Sequence, residues 1–516
     1  MSAEPPPDPK SDAMTDAAAR SLAHRTAFGA AWLVSWRMIS RLLGLCSTLI
    51  LARLLAPGDF GLVAIATTYV NVFDALSALG AEDTIVRSPN PRRALFDTAF
   101  TVGALRGVVN ALLVAATAPF VARAFNEPRL LPLLLVIAAM PLFDGLENVA
   151  IAEFRRELRF DREFILFVVP RLLAVATTIG AVMVERSVWA LVIGIFAGKI
   201  SRLLLTYIMR PFLPRPTLSA WRELAGYSFW TWASSIVGFA RDRGWTLLLG
   251  AMLSATDVGI FNIAAEIAQL PITEMVNPIG RAAFSGISAS RNAGGDIAAA
   301  LARIIGIVAL IILPASIGIS ALAYHIVMVG LGPGWATATT IIAVIGASSP
   351  SLVIMTMGNI ALAATGNIRY NFFITVFTAA FALSGAAIGA HYWGLFGVTT
   401  IFVAVLTVEG VGFLIMTMRI LGGKVSSIGW QVWRPALAAA VMAGLLYMTG
   451  LGWSHPPGTV PVLILNAAFI ALVGAMIYAA TLLLLWRLAG LPDSAERFLI
   501  EALRMGVGRI RRLRAA

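Results

Sequence analysis

The stretch SRLLGLCSTLILARLLAPGDFGLVAIA, Ser40 to Ala66, decides the fold. Two apolar runs flank the turn Ala56-Pro57-Gly58-Asp59. Continued into the neighbouring sequence, each reaches the roughly 20 residues that cross about 30 Å of hydrocarbon at 1.5 Å per residue. Runs of this kind recur from Phe28 to Leu485, and the expected spans are 28–52, 60–86, 97–121, 130–152, 164–184, 188–209, 225–252, 258–282, 298–329, 335–364, 370–390, 394–420, 434–452 and 459–486. They number about fourteen. The 516 residues are 59% hydrophobic and 13% charged, with a mean hydropathy of +0.84, far from the balance of soluble chains. Ten-residue segments of alternating polarity, the mark of a membrane β-barrel, are missing. The expectation is an all-α integral membrane protein.

The opening stretch has an echo. RGWTLLLGAMLSATDVGIFNIA, Arg243 to Ala264, aligns with it at a shift of 198 positions: Thr48 with Thr246, Leu55 with Leu253, Asp59 with Asp257, Gly61 with Gly259 and Ala66 with Ala264. Each copy reads helix, Asp-x-Gly turn, helix. The Asp would cap the next helix and the Gly would allow helices to approach closely. An even number of spans separates the copies, so the repeat is parallel, related by an axis along the membrane normal. The expected organisation is a disordered cytoplasmic tail at 1–25, an N-lobe of six helices at 26–210, a linker at 211–224, a C-lobe of six helices at 225–421, two further helices at 422–489, and a basic amphipathic tail at 490–516 lying on anionic lipid. The linker, PFLPRPTLSAWREL, carries three prolines.

The net charge of +12 is topological rather than a sign of nucleic-acid binding. With the N-terminus inside, cytoplasmic loops collect Arg87, Arg92, Arg93, Arg155, Arg156, Arg159, Arg162, Arg202, Arg210, Arg215, Arg222, Arg281, Arg291, Arg303, Arg369, Arg419, Lys424 and Arg434, while the opposite loops hold Arg53, Arg123, Arg129 and Arg186. This positive-inside bias implies that both termini are cytoplasmic. Short loops leave no room for a soluble catalytic domain, and no Walker A motif is present, so the chain reads as a non-enzyme without a cofactor. Cys46 is single and His24, His325, His391 and His455 are scattered, so no metal site is expected.

Charges inside spans are costly and should face protein or water. Arg37 and Arg41 lie four apart on one face of the first helix, and Arg241 and Arg243 lie in the repeat-related helix of the second lobe. With Lys199 they form a candidate cationic cavity, suited to a phosphate or pyrophosphate because guanidinium donates paired hydrogen bonds. The competing reading pairs Arg37, Arg41, Arg171 and Lys199 with Asp74, Asp144, Glu147 or Glu266 as helix glue, and lets Asp242 neutralise Arg241 or Arg243. Arg53 and Arg106, near helix ends, read as snorkelling to the headgroups. Asp74, Glu266, Glu274 and Glu409 are the intramembrane carboxylates that could couple transport to an ion, with helix packing as the alternative.

The opening stretch resembles the oligosaccharide flippases of the bacterial polysaccharide transporter family, within the superfamily that also holds multidrug exporters and lipid II flippases. FRRELRF at Phe154–Phe160 and ATGNIRYNF at Ala364–Phe372 resemble basic turns of that family. The resemblance implies that an undecaprenyl-pyrophosphate-linked oligosaccharide crosses the bacterial inner membrane by alternating access, for O-antigen, exopolysaccharide or capsule synthesis. Membrane lipids, a polysaccharide polymerase and chain-length machinery are the implied partners, and nucleic acid is not. In the lipid II branch a cavity arginine occupies the position that is Ser47 here, which weighs against lipid II. The alternatives are a cation-coupled drug antiporter using Asp74 as its cation site, and a membrane-embedded polymerase or glycosyltransferase, for which the large extracytoplasmic loop is missing.

Overall fold

The computed structural model describes residues 32, 35–77, 80–88, 90–157, 159–224, 229–274, 276, 279–280, 295–365, 368–491 and 495–497. The N-terminal tail, and the basic tail apart from 495–497, lie outside the described residues. The protein is all-α, and each expected span has a helical counterpart. These include a first helix over 35–54, then Pro57–Leu76, Arg93–Ala124, Phe160–Val184, Val188–Met209, Phe229–Met252, Ala255–Ala268, Ile297–Ala321, Ala338–Ala364, Ile368–Ile420, Val425–Met448 and Val460–Leu488. Among the described residues, seven helices are long and apolar enough to cross a membrane, and two bent pairs pass the same test together. Spans 11 and 12 form one 53-residue helical stretch interrupted at Gly394, where φ is +57°. A left-handed residue there reverses the chain, and glycine takes that conformation without steric cost. The arms run back antiparallel, with Gly389 against Gly397 and Gly385 against Ile401.

The chain divides into two compact units, one holding residues up to Leu55 with Ala66–Ala233, the other Ala56–Ile65 with Ser234 onward. The second unit thus contains the turns of both repeats, which cross. A Cβ at Gly61 would overlap the Ala255 carbonyl oxygen, and one at Gly259 the Pro57 carbonyl oxygen. The repeated glycine is therefore required by backbone-on-backbone contact. The turns are capped differently. The Asp59 carboxylate accepts the Ala56 N–H at 3.3 Å. In the second copy the Ser254 hydroxyl accepts the Asp257 N–H at 3.1 Å and donates to the Asp257 carboxylate at 2.6 Å.

In the first unit the 211–224 segment is strapped along the start of the Arg93–Ala124 helix. The N–H groups of Arg215, Thr217 and Ala220 donate to Asp97 Oδ1, Thr101 Oγ1 and Thr98 Oγ1 at 2.9, 3.0 and 3.2 Å. Arg93 donates to the Leu213 carbonyl at 3.1 Å and Arg92 pairs with Glu223 at 2.6 Å. The three prolines remove donors from the strap, and helix side chains satisfy donors that remain.

The second unit corrects one sequence expectation. Arg434 is not a loop residue: the Val425–Met448 helix begins earlier than the apolar run, and Arg434 is 1% exposed within it. Its guanidinium makes two bonds, 2.7 and 3.2 Å, to the carboxylate of Glu496, itself 4% exposed. Residues 495–497 of the tail are thus tied to the Val425–Met448 helix by a buried ion pair.

Candidate functional site

In the first unit, the fourth span is broken. Its halves, Leu130–Gly145 and Val149–Arg156, meet at 57°. Asn148 sits at the break, fully buried. Its side-chain oxygen accepts the Ala150 N–H at 3.0 Å, while its amide donates to the Thr206 and Arg210 carbonyls at 3.2 and 2.5 Å. The loose backbone ends are satisfied by the neighbouring helix. Along the same seam Lys199 pairs with Asp144, Arg202 with Glu147 at 2.7 Å, and Arg210 with Glu153 at 2.7 Å. Lys199 and Arg202 are three apart on one face of the Val188–Met209 helix and meet Asp144, in the last turn before the break, and Glu147, at the break itself. The Arg202 guanidinium also lies 5.1 Å from the Phe167 ring centroid.

Asp74 faces the same unit. It accepts a 2.9 Å bond from the Asn110 amide, which also donates to Ser77 Oγ at 3.0 Å. Arg106, Asp144 and Lys199 are within electrostatic reach of its carboxylate. The first helix docks by aromatic contacts, Trp32 edge-on to Phe164 at 4.9 Å and Trp36 stacked on Phe167 at 4.5 Å, and by Arg171 lying over Gly44. Residues 32, 36 and 44, on one face of the helix, form this seam. Arg37 and Arg41 stand one position further on, about 100° round the helix, with Arg37 exposed and Arg41 half-buried.

In the second unit Arg241 bridges two carboxylates, Asp242 at 2.8 Å and Glu409 at 3.0 Å. Glu409 is 2% exposed and accepts a further bond from Thr378 Oγ1 at 3.3 Å. Arg243, Glu266 and Glu274 are exposed, and Glu274 accepts from Thr273 Oγ1 at 3.3 Å. The turn of the helix after Arg243 is packed by Trp245, Phe261 and Phe402, with Trp245 and Phe261 each edge-on to Phe402 at 5.0 and 5.5 Å.

The structure therefore joins residues that the sequence listed in separate roles: Arg241, read as a substrate contact, holds Glu409, read as an ion-coupling carboxylate. It joins Lys199 to Asp144, in line with the helix-glue alternative. Sequence reading overlooked Arg202, assigned to a loop, and Asn110 and Asn148. The i, i+3 spacing of charges in two spans was the available signal for the Arg202–Glu147 pair; a lone Asn in an apolar run carries none.

A family model described as polysaccharide biosynthesis protein matches residues 50–340. The chain is 22% identical over 428 residues to the lipopolysaccharide biosynthesis protein WzxC of Escherichia coli (strain K12), covering 79% of this chain and 84% of WzxC. It is 23% identical over 493 residues to the succinoglycan biosynthesis transport protein ExoT of Rhizobium meliloti (strain 1021), covering 90% of this chain and 92% of ExoT. Among solved structures, the lipid II flippase MurJ in an inward closed conformation is similar at a TM-score of 0.73 and 14% identity, over 88% of this chain and 99% of MurJ. An inward-facing multidrug resistance MATE family transporter of the MOP superfamily is similar at 0.60 and 14% identity, over 74% of this chain and 94% of the transporter. These likenesses establish a fold shared with multi-pass membrane transporters.

Proposed function

This chain belongs to the polysaccharide biosynthesis protein family, and we propose that it is a flippase carrying an undecaprenyl-pyrophosphate-linked oligosaccharide across the bacterial inner membrane by alternating access, with both termini in the cytoplasm. The observation that carries the reading is the family match. The charged groups inside the spans support the substrate class, because they supply cations where an anionic headgroup would otherwise meet hydrocarbon. Arg37, Arg41, Arg241, Arg243 and Lys199 are the candidate contacts. Lys199 and Arg241 are candidates held in check by Asp144 and Glu409. A cation-coupled antiporter is the second reading, and the observation favouring it is Asp74, held by Asn110 at 2.9 Å inside the first unit.

The test is a deletion strain examined for its lipid-linked intermediates. The expected result is an undecaprenyl-pyrophosphate oligosaccharide that accumulates on the cytoplasmic leaflet and disappears when the gene is restored. Normal surface polysaccharide with no such accumulation would overturn the reading. Cation-driven drug uptake by vesicles carrying the purified chain, with no glycolipid movement, would replace it with the antiporter.

A further inference from the structure

Beside the Asp74–Asn110–Ser77 cluster, the first unit has a groove of 640 Å³. Leu105 and Val109 of the Arg93–Ala124 helix and Leu218 and Trp221 of the strap form apolar walls, with Arg106 and Asn110 also in the lining. All four wall residues are exposed. Arg106 differs from its surroundings: its Nε is buried and has no hydrogen-bond partner among the described residues.

The depth of the groove follows from helix register. Tyr69 bonds to Thr117 and Ser77 to Asn110, so the Pro57–Leu76 and Arg93–Ala124 helices run antiparallel in a constant register. The Pro57–Leu76 helix has 20 residues, about 30 Å, the thickness of the hydrocarbon. Ser77 therefore stands at its edge. Arg106, one turn beyond Asn110 in the same direction, is level with the lipid headgroups. Trp221 lies at the same boundary, where indole side chains favour the interface. Deeper along the Arg93–Ala124 helix, Val108, Val109, Leu112 and Leu113 are exposed in a stripe that continues from the groove into the bilayer.

We infer that this groove is a binding site for one anionic phospholipid, its phosphate held by Arg106 and its acyl chain lying along Val109 and Leu112. A guanidinium at the end of an apolar trough suits a phosphodiester of single charge; the Asp74 carboxylate, within electrostatic reach of Arg106 behind Asn110, limits the site to one such charge, and the wall residues are exposed at the surface of the unit. The bound lipid seals the strap to the helix at Leu218 and Trp221, where side-chain-to-backbone bonds already fix it. On the orientation proposed above the lipid comes from the cytoplasmic leaflet. The binding itself does not depend on that orientation or on transport, so the two readings fail separately.

The experiment uses the full chain, purified in detergent and titrated with phosphatidylglycerol or phosphatidylcholine, with bound lipid counted by native mass spectrometry. Wild-type protein is expected to retain phosphatidylglycerol preferentially. Arg106→Gln should weaken retention by about tenfold or more, the worth of a charge-assisted hydrogen bond, and Arg106→Lys should restore part of it. Val109→Trp fills the trough without touching the charge and should also block retention, which covers the case of a misfolded Arg106→Gln. Equal retention of both lipids by wild-type protein, or undiminished phosphatidylglycerol on a folded Arg106→Gln or Val109→Trp, would overturn the inference. Displacement of phosphatidylglycerol from wild-type protein by equimolar undecaprenyl pyrophosphate would overturn the assigned occupant in favour of the transported lipid.

Discussion

Replacing Glu409 by Gln tests whether Arg241 is a structural cation or a free one. The guanidinium lies 3.0 Å from Glu409. At an effective dielectric of about 20 the direct attraction over that distance is roughly 5 kcal/mol. Desolvation of both groups offsets much of it, and removing one partner of a buried pair costs about 3–5 kcal/mol through the charge left behind. Asp242 still holds Arg241 at 2.8 Å, but its side chain is 60% exposed and compensates weakly. The expected cost therefore falls near the lower limit, about 3 kcal/mol, or roughly 5–10 °C in the apparent melting midpoint of a unit this size. Arg241→Gln should cost a similar amount, since it strands the 2%-exposed Glu409. The charge-swapped protein, Arg241→Glu with Glu409→Arg, should recover at least half of the loss.

The assay is a thermal midpoint by fluorescence-detected size exclusion, with glycolipid export measured in the same variants. A structural pair predicts that stability and export fall together in the single variants and recover together in the swap. A substrate contact predicts the reverse for Glu409→Gln, with export retained or raised because Arg241 is released. Unchanged midpoints in both single variants would refute the pair as a stabilising element, whatever export does.

Other outcomes follow from the same geometry. Gly61→Ala should destabilise the fold by about 1–3 kcal/mol through collision with the Ala255 carbonyl, whereas Gly180→Ala, with open space around its Cβ position, should be neutral or better in the same melting assay. Asn148→Ala deletes three hydrogen bonds at the break of the fourth span and should lower the midpoint as a loss of about 2–3 kcal/mol would, with proteolysis near Leu146–Ile151 as the readout. Glu496→Gln strands the buried Arg434 and should reduce membrane abundance more than Glu496→Ala with Arg434→Met, since an apolar replacement of a buried ion pair is often tolerated. Reporter fusions at Arg215 and Gly422 are expected inside, and those at Glu127, Gly334 and Pro457 outside; an inside signal at Pro457 would break the proposed topology.

The sequence disclosed the spans because hydrocarbon thickness imposes a length on apolar runs, and it disclosed the repeated Asp-x-Gly turn because only glycine permits the crossing at Gly61 and Gly259. It did not disclose which charges meet. Asp144 and Lys199 are 55 positions apart, and Arg434 and Glu496 are 62 apart. Hydropathy marks each charge as a local flaw in an apolar run and is silent about the partner. Arg434 was misplaced for this reason: a charge ends an apolar window, while the backbone helix continues through it when a carboxylate arrives from elsewhere. The strap was hidden differently. Its attachment runs from Asp97, Thr98 and Thr101 to backbone amides, and a backbone donor has no sequence signature.

The carboxylates held by Lys199 and Arg241 bear on how a flippase could release its cargo. If the proposed substrate binds at these cations, its phosphate displaces Asp144 from Lys199 or Glu409 from Arg241, so its net gain is the difference between two charge-assisted contacts rather than the whole of one. Binding then stays weak enough for departure on the far side, a condition that conduction through any membrane site imposes. Lys199 offers the cleaner test, because both it and Asp144 are more than a quarter exposed and a stranded charge there is solvated far better than at Glu409. Asp144→Asn keeps the side-chain volume and frees the ammonium. On this reading the purified variant should bind undecaprenyl pyrophosphate about tenfold more tightly, while export in cells slows because release becomes limiting. If Asp144→Asn folds normally and binds the lipid no more tightly than wild type, Lys199 is a helix clamp alone, and the cationic contacts reduce to Arg37, Arg41, Arg241 and Arg243.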